Sequence, residues 1–160
     1  MKIIIVVCVA LILSACTTRH FSAPVGEYPY SNNKAVSVVN DQLDTQERVF
    51  FSDGITTVLT DYKGWSEILI SKVHNELAKM PLRNHDSKIL KLSISSIICG
   101  GHYVTDCTVS AIAQIGDGYR NIISSSKFNG YPATSALDKA LNDTAAKIMK
   151  DEKIVSYLLN

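Results

Sequence analysis

Four residues near the middle of this 160-residue sequence have side chains that could do chemistry together. The segment ICGGHYVTDCT contains Cys99, His102, Asp106 and Cys107. A nucleophilic thiolate works with an imidazole base and an orienting acid, and these residue types would supply all three. Such partners usually come from distant parts of a chain, however, and Cys99 offers Cys107 a partner for oxidation. The sequence therefore favours a structural disulfide between Cys99 and Cys107 and predicts no catalytic residue.

The same segment offers ligands for a metal ion, but their pattern is weak. Cys99, His102 and Cys107 could act as soft ligands, with His74 or His85 as a fourth. Formation of the disulfide would use both thiols, so we expect no metal site and no cofactor. The sequence also lacks the GxSxG, HExxH, P-loop and GxGxxG signatures. We therefore expect a protein that is not an enzyme.

The first residues of the chain predict where the protein works. Residues 3–13 form an almost unbroken apolar run behind Lys2. A helix of about eleven residues is about 16–17 Å long, against roughly 30 Å for the hydrocarbon core of a bilayer. Residues 1–15 therefore fit a secretory signal peptide better than a membrane span.

The end of this signal resembles the lipobox of bacterial lipoproteins. Leu13, Ser14 and Ala15 directly precede Cys16. The resemblance implies cleavage before Cys16, diacylglycerol on its thiol and an added fatty acyl chain such as palmitate, which together would anchor the protein to a membrane. Thr17 follows instead of Asp, and in the lipobox rule this implies sorting to the outer membrane with the domain facing the periplasm. The alternative is an ordinary cleaved signal followed by a chance cysteine.

The leader also decides how the cysteines are used. Cys8 would leave with the signal and Cys16 would carry lipid, so Cys99 and Cys107 would remain as a pair in the oxidising periplasm. In the chain-entropy description a disulfide across so short a loop stabilises the fold by roughly 2–3 kcal/mol. Charge adds little, because the 16 Lys and Arg residues nearly balance the 15 Asp and Glu residues. Without a basic stripe, we expect no binding to nucleic acid.

The remaining residues predict a lipidated tether over 16–33 and a single domain over 34–160. The stretches 34–41, 48–54 and 55–60 are typical of short strands, and residues 64–80 carry the apolar stripe of a helix ended by Pro81. Apolar and polar residues alternate over 88–99, 107–115 and 119–129, which predicts three strands, with a bulge or a twist near Ile97-Ile98 and a hairpin turn at GDG. A second helix over 135–149, with Ser135 and Asp138 in a capping box, and a C-terminal cluster at 154–159 complete the pattern.

This order of elements predicts the α+β class: a two-layer domain in which an antiparallel meander sheet carries two helices on one face. The segments GWSEILISKVHNELAKM, KILKLSISSI, IAQIGDGYRNIISSSKFNG and ALDKALNDTAAKIMKDEKIVSYL, together with the lipobox, resemble the YajG family of bacterial lipoproteins. The resemblance covers residues 55–158 and implies an anchored, non-enzymatic domain. It transfers no catalytic residues, and the cysteine pair is a departure from it.

These observations lead to an expected function in the cell envelope. We expect an outer-membrane lipoprotein that acts as a non-enzymatic binding or assembly module for a protein partner, through a free sheet face or an edge strand. His102 and Tyr103, in the loop closed by the disulfide, are the candidate contact residues; the alternative is that the bridge only steadies a hairpin. A second hypothesis is that the loop at 99–107 inhibits a lysozyme or another hydrolase. A third is an enzyme that depends on Cys107.

Overall fold

The structure is a computed structural model that describes residues 17–23, 36–52, 56–81, 88–101, 104–116, 118–130 and 133–160. Its strands are β1 (Thr17–His20), β2 (Val36–Asn40), β3 (Arg48–Ser52), β4 (Thr56–Thr60), β5 (Lys88–Gly100), β6 (Val104–Ile115) and β7 (Arg120–Gly130). The helices of these stretches are α1 (Tyr62–Leu77), α2 (Ala133–Ile148) and α3 (Glu152–Leu159). None of these helices combines the length and the apolar character that crossing a bilayer requires.

The three longest strands, β5, β6 and β7, form the antiparallel meander that the alternating sequence predicts. Gly118 lies in the second hairpin turn with φ at 86°, a conformation that favours glycine. The bulge in β5 lies between Ile94 and Ser96, closer to the start of the strand than the predicted doublet. Side chains alternate on either side of this bulge, so one face of the meander is buried and the other faces solvent.

The rest of the seven-stranded sheet is mixed, so the prediction of a purely antiparallel sheet is wrong. Beyond β5 the order is β3, β4 and β1. Strand β3 is antiparallel to β4, whereas β1 is parallel to β4 and β3 is parallel to β5. Strand β2 also pairs in parallel, with the first part of β5. Parallel neighbours need long connections and have no turn between them, so no local pattern in the sequence indicates which strands pair.

Strands β2 and β3 share one edge of β5, and side chains from α1 fill the gap between them. In this gap the backbone N–H of Ile94 donates to Ser66 Oγ at 3.1 Å. The backbone N–H of Ile97 donates to Tyr62 Oη at 3.2 Å. Both α1 side chains are buried. The helix therefore satisfies two backbone donors that neither short strand pairs, as the low polarity of the interior demands.

Helices α1 and α2 pack against each other and against the buried face of the sheet. Asp61 begins α1 as its N-cap, because its carboxylate accepts a hydrogen bond from the N–H of Gly64 at 3.0 Å. The completely buried apolar side chains come from both layers and include Leu69, Val73, Leu90, Leu92, Val109, Ala111, Leu137 and Leu141. The α+β class is thus confirmed.

Two helix predictions need correction. The C-terminal apolar cluster forms a third helix, α3, whose N-cap Asp151 accepts hydrogen bonds from the backbone of Lys153 and Ile154. The predicted capping box is wrong, because α2 begins at Ala133 and both of its proposed members lie inside the helix. There Asp138 accepts a hydrogen bond from Lys72 on α1 at 2.6 Å instead of capping its own helix.

Residues 17–23 lie in the predicted tether, but the structure includes them in the sheet and the core. All four residues of β1 pair with β4. The ring of Phe21 stacks at 5.8 Å on both Phe50 and Trp65. Ala23 is buried, and a Cβ at Gly64 would come within 2.7 Å of its Cβ. Residues 17–23 are therefore part of the fold, and they directly follow the predicted lipid-bearing Cys16, which itself lies outside the described residues.

Candidate interaction surface

Cys99 and Cys107 are direct partners across β5 and β6, and a disulfide joins them, which confirms the predicted bridge. Both residues are buried. Sγ of Cys107 also lies 3.4 Å from the carbonyl oxygen of Ala133, at the start of α2. The bridge thus joins β5 and β6 beside the start of the second helix. A sulfur held in this bond is neither a nucleophile nor a metal ligand.

The other residues of this loop fall into two groups. His102 and Tyr103, the candidate contact residues, lie outside the described part of the chain. Asp106 is described on β6, where it pairs with Gly100 of β5. Because successive side chains of a strand point to opposite faces, Asp106 lies on the other face of the sheet from Cys107. This geometry separates the acid of the suggested catalytic set from its thiol.

Within the described stretches, no cluster of three or more His, Cys, Asp or Glu side chains could hold a metal ion. His74 lies on α1 and is half-buried, and burial lowers the pKa of its imidazole. His85, the other histidine suggested as a ligand, lies outside the described residues.

The face of the meander that points away from the helices presents mainly hydroxyl groups at its centre. The residues concerned are Ser93, Ser96, Thr108, Ser110, Ser124 and Ser126. Ser110 Oγ and Ser124 Oγ lie 2.8 Å apart, and Thr108 Oγ1 donates to Ser126 Oγ at 3.1 Å. These short side chains bond to one another across β6 and β7, so the surface they form is flat and uncharged. We call this surface of β5, β6 and β7 the open face.

Large apolar side chains stand exposed at both ends of the open face. Ile98 is 66% exposed and Phe128 is 69% exposed, and both lie near the disulfide. Ile122 and Ile89 are exposed near the opposite end. Ile98 and Phe128 thus form one exposed apolar pair at the disulfide, and Ile89 and Ile122 lie toward the other end of the face.

The outer edge of β7 is charged, unlike the centre of the open face. Two lysines, one on β7 and one on α2, and a carboxylate from α2 lie along this edge. Ser125 Oγ donates to Asp143 at 2.8 Å, and the ammonium groups of Lys127 and Lys147 each lie 3.2 Å from the same carboxylate. The hydrogen bond from Ser125, aided by the two lysines and opposed by burial, lowers the pKa of Asp143 to about 2. Lys147 also donates to the carbonyl of Ser124 at 2.9 Å. Charged groups in such positions discourage the addition of another strand.

A shallow cleft of about 680 Å³ lies where α3 meets the start of β5 and the second hairpin. Its lining includes two lysines that lie over tyrosine rings: Lys88 Nζ is 5.2 Å from the centre of Tyr157, and Lys153 Nζ is 4.8 Å from the centre of Tyr119. Sequence reasoning missed this cleft because its walls come from three elements far apart in the chain. Sequence reasoning also missed the extent of the open face. The polar residues of each alternating strand were the signal that could have indicated it.

Comparisons with known proteins provide no family for this chain. No family model matches the sequence, and no curated protein matches it. A crystal structure of protein XCC0632 from Xanthomonas campestris, described under the family DUF330, has a TM-score of 0.43 and 8% identity over 90% of this chain and 84% of its own. An uncharacterized protein of known structure has a TM-score of 0.38 and 9% identity over 87% of this chain and 99% of its own. Scores this low support no inference about function, and the likeness to the YajG family stays a prediction.

Proposed function

We propose that this protein is a lipid-anchored module of the bacterial cell envelope, without catalytic activity, whose open face binds another protein. The single observation that carries the proposal is the open face itself: three long strands, covered by helices on one side, carry exposed apolar side chains on the other. Anchoring through Cys16 to the outer membrane, with the domain in the periplasm, rests on the lipobox resemblance.

The shape of the open face favours a protein over a small ligand. Small molecules bind in concave, mostly apolar pockets. The open face is flat, and its three strands of 11 to 13 residues each span about 35–45 Å by about 10 Å between the outer strands. That area, about 350–450 Å², is smaller than the roughly 800 Å² per partner of a standard stable interface, so it suits a transient contact with a folded partner.

The chemistry of the open face supports the same partner class. Its centre carries hydroxyl groups and no charge between the row of Lys91 and the row of Asp106. A neutral centre gives no attraction to the phosphates of nucleic acid. Hydroxyl groups can exchange their bonds with one another for bonds to a partner, and the exposed Ile122 and Ile89 would supply apolar contact.

Photo-cross-linking in living cells tests this proposal. A photoreactive phenylalanine analogue replaces Ser110 at the centre of the open face in the full-length protein, and in a matched control it replaces Asn75, which is exposed on α1. We expect a discrete cross-linked protein from position 110 and none from position 75. Adding the S124K change to the protein that carries the analogue at position 110 should abolish that product, because Ser124 lies beside Ser110 and an unpaired charge would be buried in the contact. Identical products from both positions would refute the role of the open face.

The anchor has its own test. The C16S variant should lose acylation and normal signal cleavage, as followed by metabolic labelling with a radioactive fatty acid and by the mass of the mature chain. A C16S protein that still matures and stays bound to membranes would refute lipid anchoring. The inhibitor hypothesis gains no support among the described residues, because the tip of the 99–107 loop lies outside them.

A further inference from the structure

The pairing of the strands defines one end of the sheet, which we call the disulfide end. One continuous row of paired residues crosses the whole sheet at this end: Arg19, Val58, Phe51, Cys99, Cys107 and Lys127. The directions of the strands place the start of β1 on the same side of this row as the loop that joins β5 to β6. The beginning of the fold and the disulfide hairpin therefore lie at the same end of the molecule.

No linker separates Cys16 from the first strand at this end. Cys16 is joined by one peptide bond to Thr17, so their Cα atoms lie about 3.8 Å apart. Thr17 is already paired with Thr56, and the next three residues continue the pairing. If Cys16 carries the lipid, no flexible segment separates the acyl chains from the sheet. Residues 24–35 cannot serve as a spacer, since they follow β1.

The distance from this point of entry to the disulfide is short. Three strand spacings separate β1 from β5, which corresponds to about 14 Å. Ile98 lies one residue from the row that crosses the sheet, and Phe128 lies one residue from it on β7, five strand spacings or about 24 Å from β1. Both side chains are exposed on the open face. An apolar side chain held this close to a bilayer gains free energy by entering the interfacial region.

We propose that the disulfide end of the sheet rests on the surface of the membrane that holds the lipid, with Ile98 and Phe128 in contact with the acyl-chain boundary. This inference rests on the lipid anchor of the proposed function. It orients the sheet with the hairpin turn of β6 and β7 away from the bilayer. The central and distal parts of the open face, around Ser110 and Ile122, then remain free for a protein partner that works close to the membrane.

Quenching of tryptophan fluorescence by brominated phospholipids tests this orientation, because bromine quenches only on close approach. The full-length protein, processed in cells and purified in detergent, is reconstituted in vesicles of phosphatidylcholine with or without bromine on the acyl chains. The variants are I98W and, as a matched control, I89W. Both positions are isoleucines exposed on the same face of β5, nine residues apart, or about 30 Å along the strand. The native Trp65 is buried and contributes the same background to both.

We expect brominated vesicles to quench the emission added by I98W and to leave that added by I89W unchanged. A second pair, F128W and I122W on β7, should behave in the same way, with quenching for F128W alone. Flotation of the same samples on a density gradient tests the lipid anchor separately from the orientation of the sheet. Protein that floats with the vesicles but shows equal quenching at the two ends refutes the orientation and leaves the anchor intact. Protein that does not float refutes the anchor and the orientation together.

Discussion

Replacing Asp143 with asparagine should destabilise the protein by an amount that depends on pH. The carboxylate of Asp143 accepts a hydrogen bond from Ser125 and faces the ammonium groups of Lys127 and Lys147. Asparagine keeps the size of the side chain and one acceptor but loses the charge. The D143N variant therefore isolates the contribution of the negative charge to the seam between β7 and α2.

The pKa shift sets the size of this effect. The pKa of Asp143 falls from 3.8 to about 2 on folding. Each pKa unit corresponds to about 1.4 kcal/mol, so the full shift corresponds to about 2–2.5 kcal/mol. The side chain is 29% exposed, and solvent screening reduces this contribution. We expect D143N to lower the free energy of unfolding by about 1–2 kcal/mol at pH 7.

The dependence on pH follows from the sign of the shift. The folded state holds the proton of Asp143 more weakly than the unfolded state, so the charge stabilises the fold fully above a pH of about 4. This contribution is lost as the pH falls from about 4 to about 2, through the pKa of the folded state. The difference between wild type and D143N should therefore be constant between pH 5 and pH 7 and shrink below pH 4.

Urea titrations of residues 17–160, followed by circular dichroism at a series of pH values, measure this difference. The D138N variant is the control, because Asp138 also pairs with a lysine but its side chain is 59% exposed. Because the carboxylate of Asp138 is exposed, its pair with Lys72 should contribute less than about 1 kcal/mol. A D143N effect that stays the same from pH 7 to pH 2.5, or that does not exceed that of D138N, would refute the electrostatic role of this seam.

Three further changes test the packing of the domain by the same urea titrations. The G64A variant should lose about 1–2 kcal/mol of stability, because its new methyl group overlaps Ala23. The A23G/G64A double variant should recover part of that loss. A double variant that recovers none of it would contradict the packing of residues 17–23 on α1. The S66A variant should lose about 1–3 kcal/mol, since it leaves a buried backbone donor of β5 without a partner, and a loss below about 0.5 kcal/mol would count against that bond. Removing the disulfide in the C99A/C107A variant should cost roughly 2–3 kcal/mol, and a variant as stable as wild type would show that the bridge is dispensable for folding.

The elements that the sequence predicted best are those with strong local periodicity. The stripe that includes Trp65 and Val73 placed α1 within three residues of its observed bounds, and strict alternation predicted β5, β6 and β7. The disulfide could be predicted because both cysteines sit on strands joined by one short hairpin. In each case the information lies within about fifteen neighbouring residues.

The features that the sequence missed depend on contacts between distant residues. Nothing near Val36 or Phe51 indicates that β2 and β3 pair with the same edge of β5. Thr17 and its neighbours look like a polar tether, because an exposed edge strand has no apolar pattern, and only pairing with β4 reveals it. The open face was visible in the sequence only as the polar half of each strand. Its flatness and its apolar ends required the register of three strands.

In the gap beside β5, the docking of α1 determines how well two backbone amides of the sheet are protected from exchange with solvent. The amides of Ile94 and Ile97 lie in a central strand of the sheet, yet their hydrogens are held by side chains of α1 and not by a neighbouring strand. Their exchange with deuterated solvent therefore reports the undocking of α1, whereas the amides bonded between β5 and β6 report global unfolding. Each undocking event also uncovers a short length of unpaired strand edge at the centre of the molecule. The free energy with which α1 docks on β5 therefore determines how often this chain exposes a site for self-association.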